Sequence, residues 1–159
     1  MLRFEIASPE DAERLMLVQK LAFDSQVPDD MPDLGGPRGY DSVDWQLEMM
    51  TQFPYIKILE DDAIIGGILL KPMGPNHCHV DRIFLVPEVH GRGIGTQAFA
   101  WLEKTYPQYS LWTLRTPTFH TRNQRFYEML GYRKTGGEIE IFPGLVLVEF
   151  EKRIPDEIS

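Results

Sequence analysis

An apolar run that stops on a proline and reopens through closely spaced glycines constrains this chain more than any other stretch. It reads Val80-Asp81-Arg82-Ile83-Phe84-Leu85-Val86-Pro87, then Glu88-Val89-His90-Gly91-Arg92-Gly93-Ile94-Gly95-Thr96. The pattern predicts a buried strand, a turn, and the opening of a helix whose first backbone N–H groups have no partner inside it. Such an end favours an anion. The N–H groups and the positive end of the helix dipole face it, and glycine lets a phosphate approach without meeting a Cβ.

Three phosphate-binding patterns can be set against this loop. A dinucleotide fold requires G-x-G-x-x-G with a carboxylate about 20 residues further on, and here Thr96 stands where the third glycine belongs. A P-loop requires lysine followed by serine or threonine after its last glycine, whereas Gly95 is followed by Thr96 and Gln97. The third pattern fits. Residues 80 to 96 resemble the acyl-CoA signature of the GNAT superfamily of N-acyltransferases, in which Gln or Arg, two residues, Gly, one residue, then Gly or Ala cradle the pyrophosphate of coenzyme A. The match runs from His90 through Gly93 to Gly95, with His90 departing from the usual Gln or Arg.

A second stretch supports the first. Asn123-Gln124-Arg125-Phe126-Tyr127-Glu128-Met129-Leu130-Gly131-Tyr132 taken alone is an amphipathic turn with Phe126, Met129 and Leu130 on one side, closed by Gly131. In this position it also resembles the second GNAT signature, an Asn near a helix start followed by Phe-Tyr and then Gly and an aromatic. The resemblance covers nearly the whole chain and is poorest between Gln26 and Phe53.

The remaining patterning orders the elements. Leu2, Phe4 and Ile6 alternate with polar residues as in a strand, and Ser8-Pro9-Glu10-Asp11 resembles a capping box opening a helix at about Pro9. Ala12, Leu15, Val18, Leu21 and Ala22 give that helix one apolar face, and the prolines and glycines from Pro28 to Gly39 make a loop. A short helix is predicted over 42–50, strands over 55–59, 63–71 and 77–86, a helix after the glycine loop, a strand over 110–115, a helix over 123–130 and a closing hairpin. This order, β-α-α-β-β-β-α-β-α-β-β, matches the GNAT fold. The resemblance therefore implies an α/β (α+β) chain with one mixed, mostly antiparallel sheet, splayed between strands 4 and 5 and flanked by helices.

Length and composition agree. At 159 residues and 43% hydrophobic content the chain fits a single domain over 1–159. A formal charge of −8 without a basic cluster argues against nucleic acid as a partner. Neither a membrane-spanning apolar run nor a signal-like N-terminus is present, so the expectation is a cytoplasmic protein without membrane attachment. The single cysteine, Cys78, fits a reducing compartment and reads as a buried strand residue.

The resemblance carries a chemistry with it. It implies acetyl-CoA as cosubstrate, its pyrophosphate on His90, Gly91, Arg92, Gly93, Ile94, Gly95 and Thr96. Its pantetheine arm pairs with the open backbone edge at Leu85, Val86 and Pro87, and Asn123, Phe126 and Tyr127 lie near the arm. Tyr127 corresponds to the family's thiolate-facing tyrosine, and a phenol beside the sulfur can supply the leaving group's proton. For Asn123, an N-cap is the competing reading. The family often carries a glutamate base on the fourth strand, and this chain has none there. His79 and Asp81 share one face of that strand, so His79 as base and Asp81 as anchor for the amine is the assignment the residues favour. His77 shares the face too, but no third ligand follows by spacing, so no metal is expected.

The loop after the first helix carries Asp24, Asp29, Asp30, Asp33, Asp41 and Asp44 against Arg38 alone, which would draw in a cationic acceptor. Tyr40, Trp45 and Phe53 are either pocket wall or core. Together these readings lead to an N-acetyltransferase acting by direct attack on a primary amine, small molecule or peptide, in a ternary complex. The alternative is a non-catalytic domain that binds acyl-CoA as a sensor or interaction module. Family members often pair, which leaves a homodimer open.

Overall fold

The computed structural model describes residues 1–155. Strand alternation gives β1 (Leu2–Ile6), β2 (Tyr55–Glu60), β3 (Ala63–Pro72), β4 (His77–Leu85), β5 (Leu111–Pro117), β6 (Arg133–Phe142) and β7 (Leu145–Arg153). Helices α1 (Ala12–Asp24) and α2 (Val43–Gln52) fall between β1 and β2, α3 (Ile94–Thr105) between β4 and β5, and α4 (Thr121–Met129) between β5 and β6. The strands form one seven-stranded sheet in the order β1-β2-β3-β4-β5-β7-β6. β1 with β2, β2 with β3, β5 with β7 and β6 with β7 run antiparallel, while β4 and β5 run parallel. That parallel ladder covers only His77↔Leu111 through Val80↔Leu114, although β4 continues to Leu85 and β5 to Pro117.

Contacts along the chain gather into two compact units whose boundary passes through β3, β4 and α3. The first comprises Met1–Leu70 with Arg82–Trp101, and the second Lys71–Asp81 with the chain from Leu102 onward. In the first, Leu15, Val18 and Ala22 of α1 are fully buried together with Ile56 and Ile58 of β2 and Ile68 and Leu69 of β3. Gly67 makes the close approach possible, because a Cβ there would stand 2.5 Å from the Phe84 ring and 3.2 Å from Leu15. In the second, Trp112, Phe150, Tyr132 and Leu114 form the core, with Tyr127 of α4 packed beside Phe150 and Tyr132.

The first helix departs from its expected start. Pro9–Asp11 form a 3-10 turn and the α-helix begins at Ala12. Proline supplies no N–H and fits a tight first turn, so the chain enters by the tighter geometry. Ser8 N–H donates to Asp11 Oδ2 at 2.9 Å, which is the reciprocal half of the predicted capping box. Leu21, placed by periodicity on the apolar face, is 53% exposed, and the buried face carries Gln19 instead. Met129 likewise is 86% exposed at the end of α4, outside that helix's buried side. In α2, the Ser42 side chain caps the helix by accepting from Trp45 N–H at 3.1 Å.

Asp11 also takes Lys57 Nζ at 2.9 Å, in a pair whose side chains are 13% and 17% exposed. Burial by itself raises its pKa, but the Ser8 N–H and the Lys57 ammonium outweigh that and hold the carboxyl below its ordinary value. A depressed folded-state pKa means stability that is present at neutral pH and lost as pH falls through the folded value. Asp11→Asn should therefore cost about 1–3 kcal/mol at pH 7. The difference from wild type should shrink below pH ~4 when both are unfolded by urea at a series of pH values.

Candidate functional site

The end of β4 and the start of α3 lie in the first unit and build the loop from backbone geometry. β4 stops at Leu85, and Pro87–Val89 form a 3-10 turn that returns His90 N–H to Pro87 O at 3.1 Å. Gly91 and Gly93 then take φ of 81° and 77°, the left-handed region, and a Cβ on either would meet nothing within 4 Å. Their freedom is thus required by backbone conformation, while the space beside them stays open. The first ladder bond of α3 runs from Gln97 N–H to Gly93 O at 3.1 Å, so Ile94, Gly95 and Thr96 place their N–H groups ahead of it. First-turn N–H groups at a helix N-terminus, reached through glycines that carry no Cβ, suit phosphate oxygens.

Three predicted contact residues sit differently from a bare reading of the motif. Arg92 does not arch over the loop: Nη1 donates to both carboxylate oxygens of Glu60, at 3.0 and 3.2 Å. His90 Nε2 lies 3.2 Å from Leu85 O, so the residue that departs from the family pattern rests on the strand end expected to pair with the cofactor arm. Val86 N–H is already donated to Ile65 O at 2.9 Å.

A cavity of about 500 Å³ opens in the loop that follows α1, also in the first unit. Asp24, Asp29, Asp33 and Tyr40 line it with Pro28 and Pro32. Lys20 and Tyr40 bond the Asp24 carboxylate at 2.7 and 2.8 Å and hold it below its ordinary pKa. Of the aromatics in question, Tyr40 is pocket wall, whereas Trp45 is covered by the Arg82 guanidinium at 4.2 Å from its ring centroid. Arg82 belongs to a buried polar network that sequence gave no reason to expect. Its Nη1 donates to Gln19 Oε1 at 3.0 Å and Arg38 O at 2.9 Å, and Gln19 Nε2 donates to Gln46 Oε1 at 3.0 Å and the Tyr55 hydroxyl at 3.2 Å. These bonds fasten the acidic loop to α1, α2 and β2.

The second unit carries the candidate acid and base. His77, His79 and Asp81 occupy the half-buried face of β4, and Cys78 is fully buried on the other. Burial pushes the Cys78 thiol up to about 12, so it is no nucleophile at neutral pH. His79 Nδ1 lies 2.8 Å from the Thr113 hydroxyl of β5, and Asp81 Oδ1 lies 3.2 Å from Lys71 Nζ. Burial, and next the Arg115 guanidinium, lower the His79 pKa, which keeps the ring neutral at pH 7. Tyr127 is 9% exposed, and burial pushes its phenol up to about 12. Asn123 stands inside the first turn of α4 with His120 as N-cap, so the capping reading of Asn123 is wrong. Phe126 packs against Tyr127 with centroids 5.6 Å apart. Thr113 and Arg115 escaped the sequence reading because only the parallel register His79↔Thr113 brings them to His79. Among the described residues no group of three or more His, Cys, Asp or Glu could hold a metal ion.

The model of the acetyltransferase (GNAT) family matches residues 19–132. The chain belongs to that family. A solved structure similar in fold is the PaiA N-acetyltransferase of Thermoplasma acidophilum in complex with coenzyme A, with a TM-score of 0.77 at 19% identity, covering 96% of this chain and 99% of that one. The ribosomal-protein-S18-alanine N-acetyltransferase of Escherichia coli gives 0.78 at 10% identity over 100% and 99%. At such identities the likeness is one of fold. In sequence, the uncharacterized protein YrkN of Bacillus subtilis (strain 168) is 38% identical over 71 residues, which is 44% of this chain and 38% of that relative's length. Both GNAT signatures, at 90–95 and 123–132, lie within the matched segment.

Proposed function

We propose that this GNAT chain is an N-acetyltransferase that moves an acetyl group from acetyl-CoA to a cationic primary amine. The observation that carries the reading is the loop ahead of α3, where Gly91 and Gly93 take positive φ with open space at their Cβ positions, just before the first-turn N–H groups of Ile94, Gly95 and Thr96. Those groups would hold the pyrophosphate. Bound there, acetyl-CoA supplies the acyl group as an activated thioester.

The protein's own residues then handle protons. His79, neutral at pH 7, accepts the proton of the ammonium at Nε2 and frees the nitrogen lone pair for attack. Asp81 anchors the ammonium before that transfer. Tyr127, whose phenol stays protonated well above neutral pH, holds a proton at Oη for the departing sulfur. The nitrogen gives up two protons in all: the first goes to His79 before attack and is released from there to solvent, and the second, lost as the amide forms, restores the Tyr127 phenol that protonated the departing sulfur. Direct transfer of this kind needs no protein nucleophile, and Cys78 is unsuited to be one.

The acidic cavity supports the cationic acceptor. Asp29 and Asp33 line it together with Asp24, and a field of one sign raises the local concentration of an amine cation. Replacing both, Asp29→Asn with Asp33→Asn, should raise KM for a polyamine about five- to tenfold at low salt. KM for acetyl-CoA should not move, and the effect should fade as salt is raised. An unchanged amine KM would remove the cavity from the account and leave the acceptor's charge unexplained.

A further inference from the structure

One hydroxyl serves two histidines. Thr113 Oγ1 lies 2.8 Å from His79 Nδ1 and 2.8 Å from His77 Nε2, with all three residues in the second unit and Thr113 only 7% exposed. The register explains the meeting. His77 and His79 share a face of β4, and Thr113 is the β5 residue directly paired with His79. A threonine hydroxyl has one proton to give and two lone pairs to receive, so at least one of the two rings must donate to it.

We propose that Thr113 and His77 are positioning residues that hold His79 in the tautomer a base requires. The inference rests on His79 being the base proposed above. A base that accepts at Nε2 carries its ring proton on Nδ1, and that N–H then donates to Thr113 Oγ1. The single hydroxyl proton of Thr113 turns to the second ring, so His77 Nε2 is bare and its own proton sits on Nδ1. When His79 takes a proton at Nε2, nothing in this chain of bonds has to reverse: Nδ1–H goes on donating, more strongly because the ring is now charged. The logic is that of a catalytic histidine whose partner fixes which nitrogen is free.

The surroundings of His79 bear on its titration from three strands. Asp81 and Glu149 favour the charged ring, while Arg115 and His77 oppose it. Lys71 lies 3.2 Å from Asp81 and Arg115 lies 3.6 Å from Glu149, so each carboxylate already has a cation beside it. The hydroxyl is the neutral group on Nδ1, and it can be altered without changing the local charge.

Two readouts test the inference on the full chain. The first is the long-range nitrogen–proton correlation spectrum of protein labelled at histidine, which reports the tautomer of each ring without any turnover. His79 should show Nδ1–H with a bare Nε2, and His77 should show the same tautomer. The second is the pH profile of kcat/KM with a polyamine. Thr113→Val should lower the plateau at least about tenfold and move the acid limb to lower pH by about half a unit or more, since the charged ring loses its acceptor. Thr113→Ser should restore both, and His77→Phe should fall between. KM for acetyl-CoA should be unaffected throughout. A His79 ring protonated at Nε2 in the wild-type spectrum would overturn the inference. So would a Thr113→Val profile that coincides with wild type. If no amine supports turnover, the proposed function fails, and the spectrum alone still decides the order of donors in the His79–Thr113–His77 chain.

Discussion

Gly93→Glu should abolish measurable acetyl-CoA binding while leaving the protein folded. Gly93 sits at φ 77°, so any side chain there adds roughly 1–2 kcal/mol of backbone strain. A Cβ at that position meets nothing within 4 Å, so the side chain starts into open space on the loop expected to hold the pyrophosphate. An anion of the protein's own then competes for the N–H groups of Ile94, Gly95 and Thr96. Losing even two charge-assisted hydrogen bonds of about 1.5–3 kcal/mol each lowers affinity by about a hundredfold or more. Calorimetric titration checks this, with Gly93→Asn as the control. Asparagine tolerates the left-handed conformation and brings no charge, so it should bind acetyl-CoA more weakly than wild type but measurably. Binding by Gly93→Glu at wild-type affinity would place the cofactor elsewhere.

Tyr127→Phe should lower kcat by about a hundredfold or more, the range over which a positioned acid acts, with KM for acetyl-CoA little changed. The phenol is buried beside Phe150 and Tyr132 with its pKa pushed up to about 12, so it remains a proton donor across the working range. Removing one buried hydroxyl costs about 1 kcal/mol of stability, which leaves a folded enzyme to assay. A purely structural tyrosine would give that stability loss and a normal kcat. Steady-state rates on the purified variant, with its melting curve beside them, separate the two.

The glycine loop and the helix after it were legible in the sequence because each rests on local chemistry. Pro87 ends a strand, Gly91 and Gly93 allow positive φ, and Ile94, Ala98 and Leu102 repeat at helical spacing. Strand alternation likewise put Cys78 and His79 on opposite faces of β4, where the structure has them. What was not legible depends on partners distant in sequence. Leu21 and Met129 fit the apolar stripes of their helices by spacing, yet both are exposed. Gln19, a polar residue on the same helix, is fully buried because Arg82, Gln46 and Tyr55 meet its amide. Thr113 became a candidate only through the parallel register with β4, and no pattern within a single strand reports register to its neighbour. Arg92 was expected on the cofactor and is found on Glu60, a partner that depends on where β2 ends.

The central claim is transfer, and release of free coenzyme A thiol is the measurement that meets it most directly. Wild-type protein is mixed with acetyl-CoA, and thiol is followed continuously with and without a primary polyamine, with the acetylated amine identified by mass. Thiol release should be steady, depend on the amine, yield one acetyl-amine per thiol, and be lost in Gly93→Glu. Saturable acetyl-CoA binding with no amine-dependent thiol release across small amines and peptide N-termini would contradict it, and would make this GNAT chain an acyl-CoA-binding module instead.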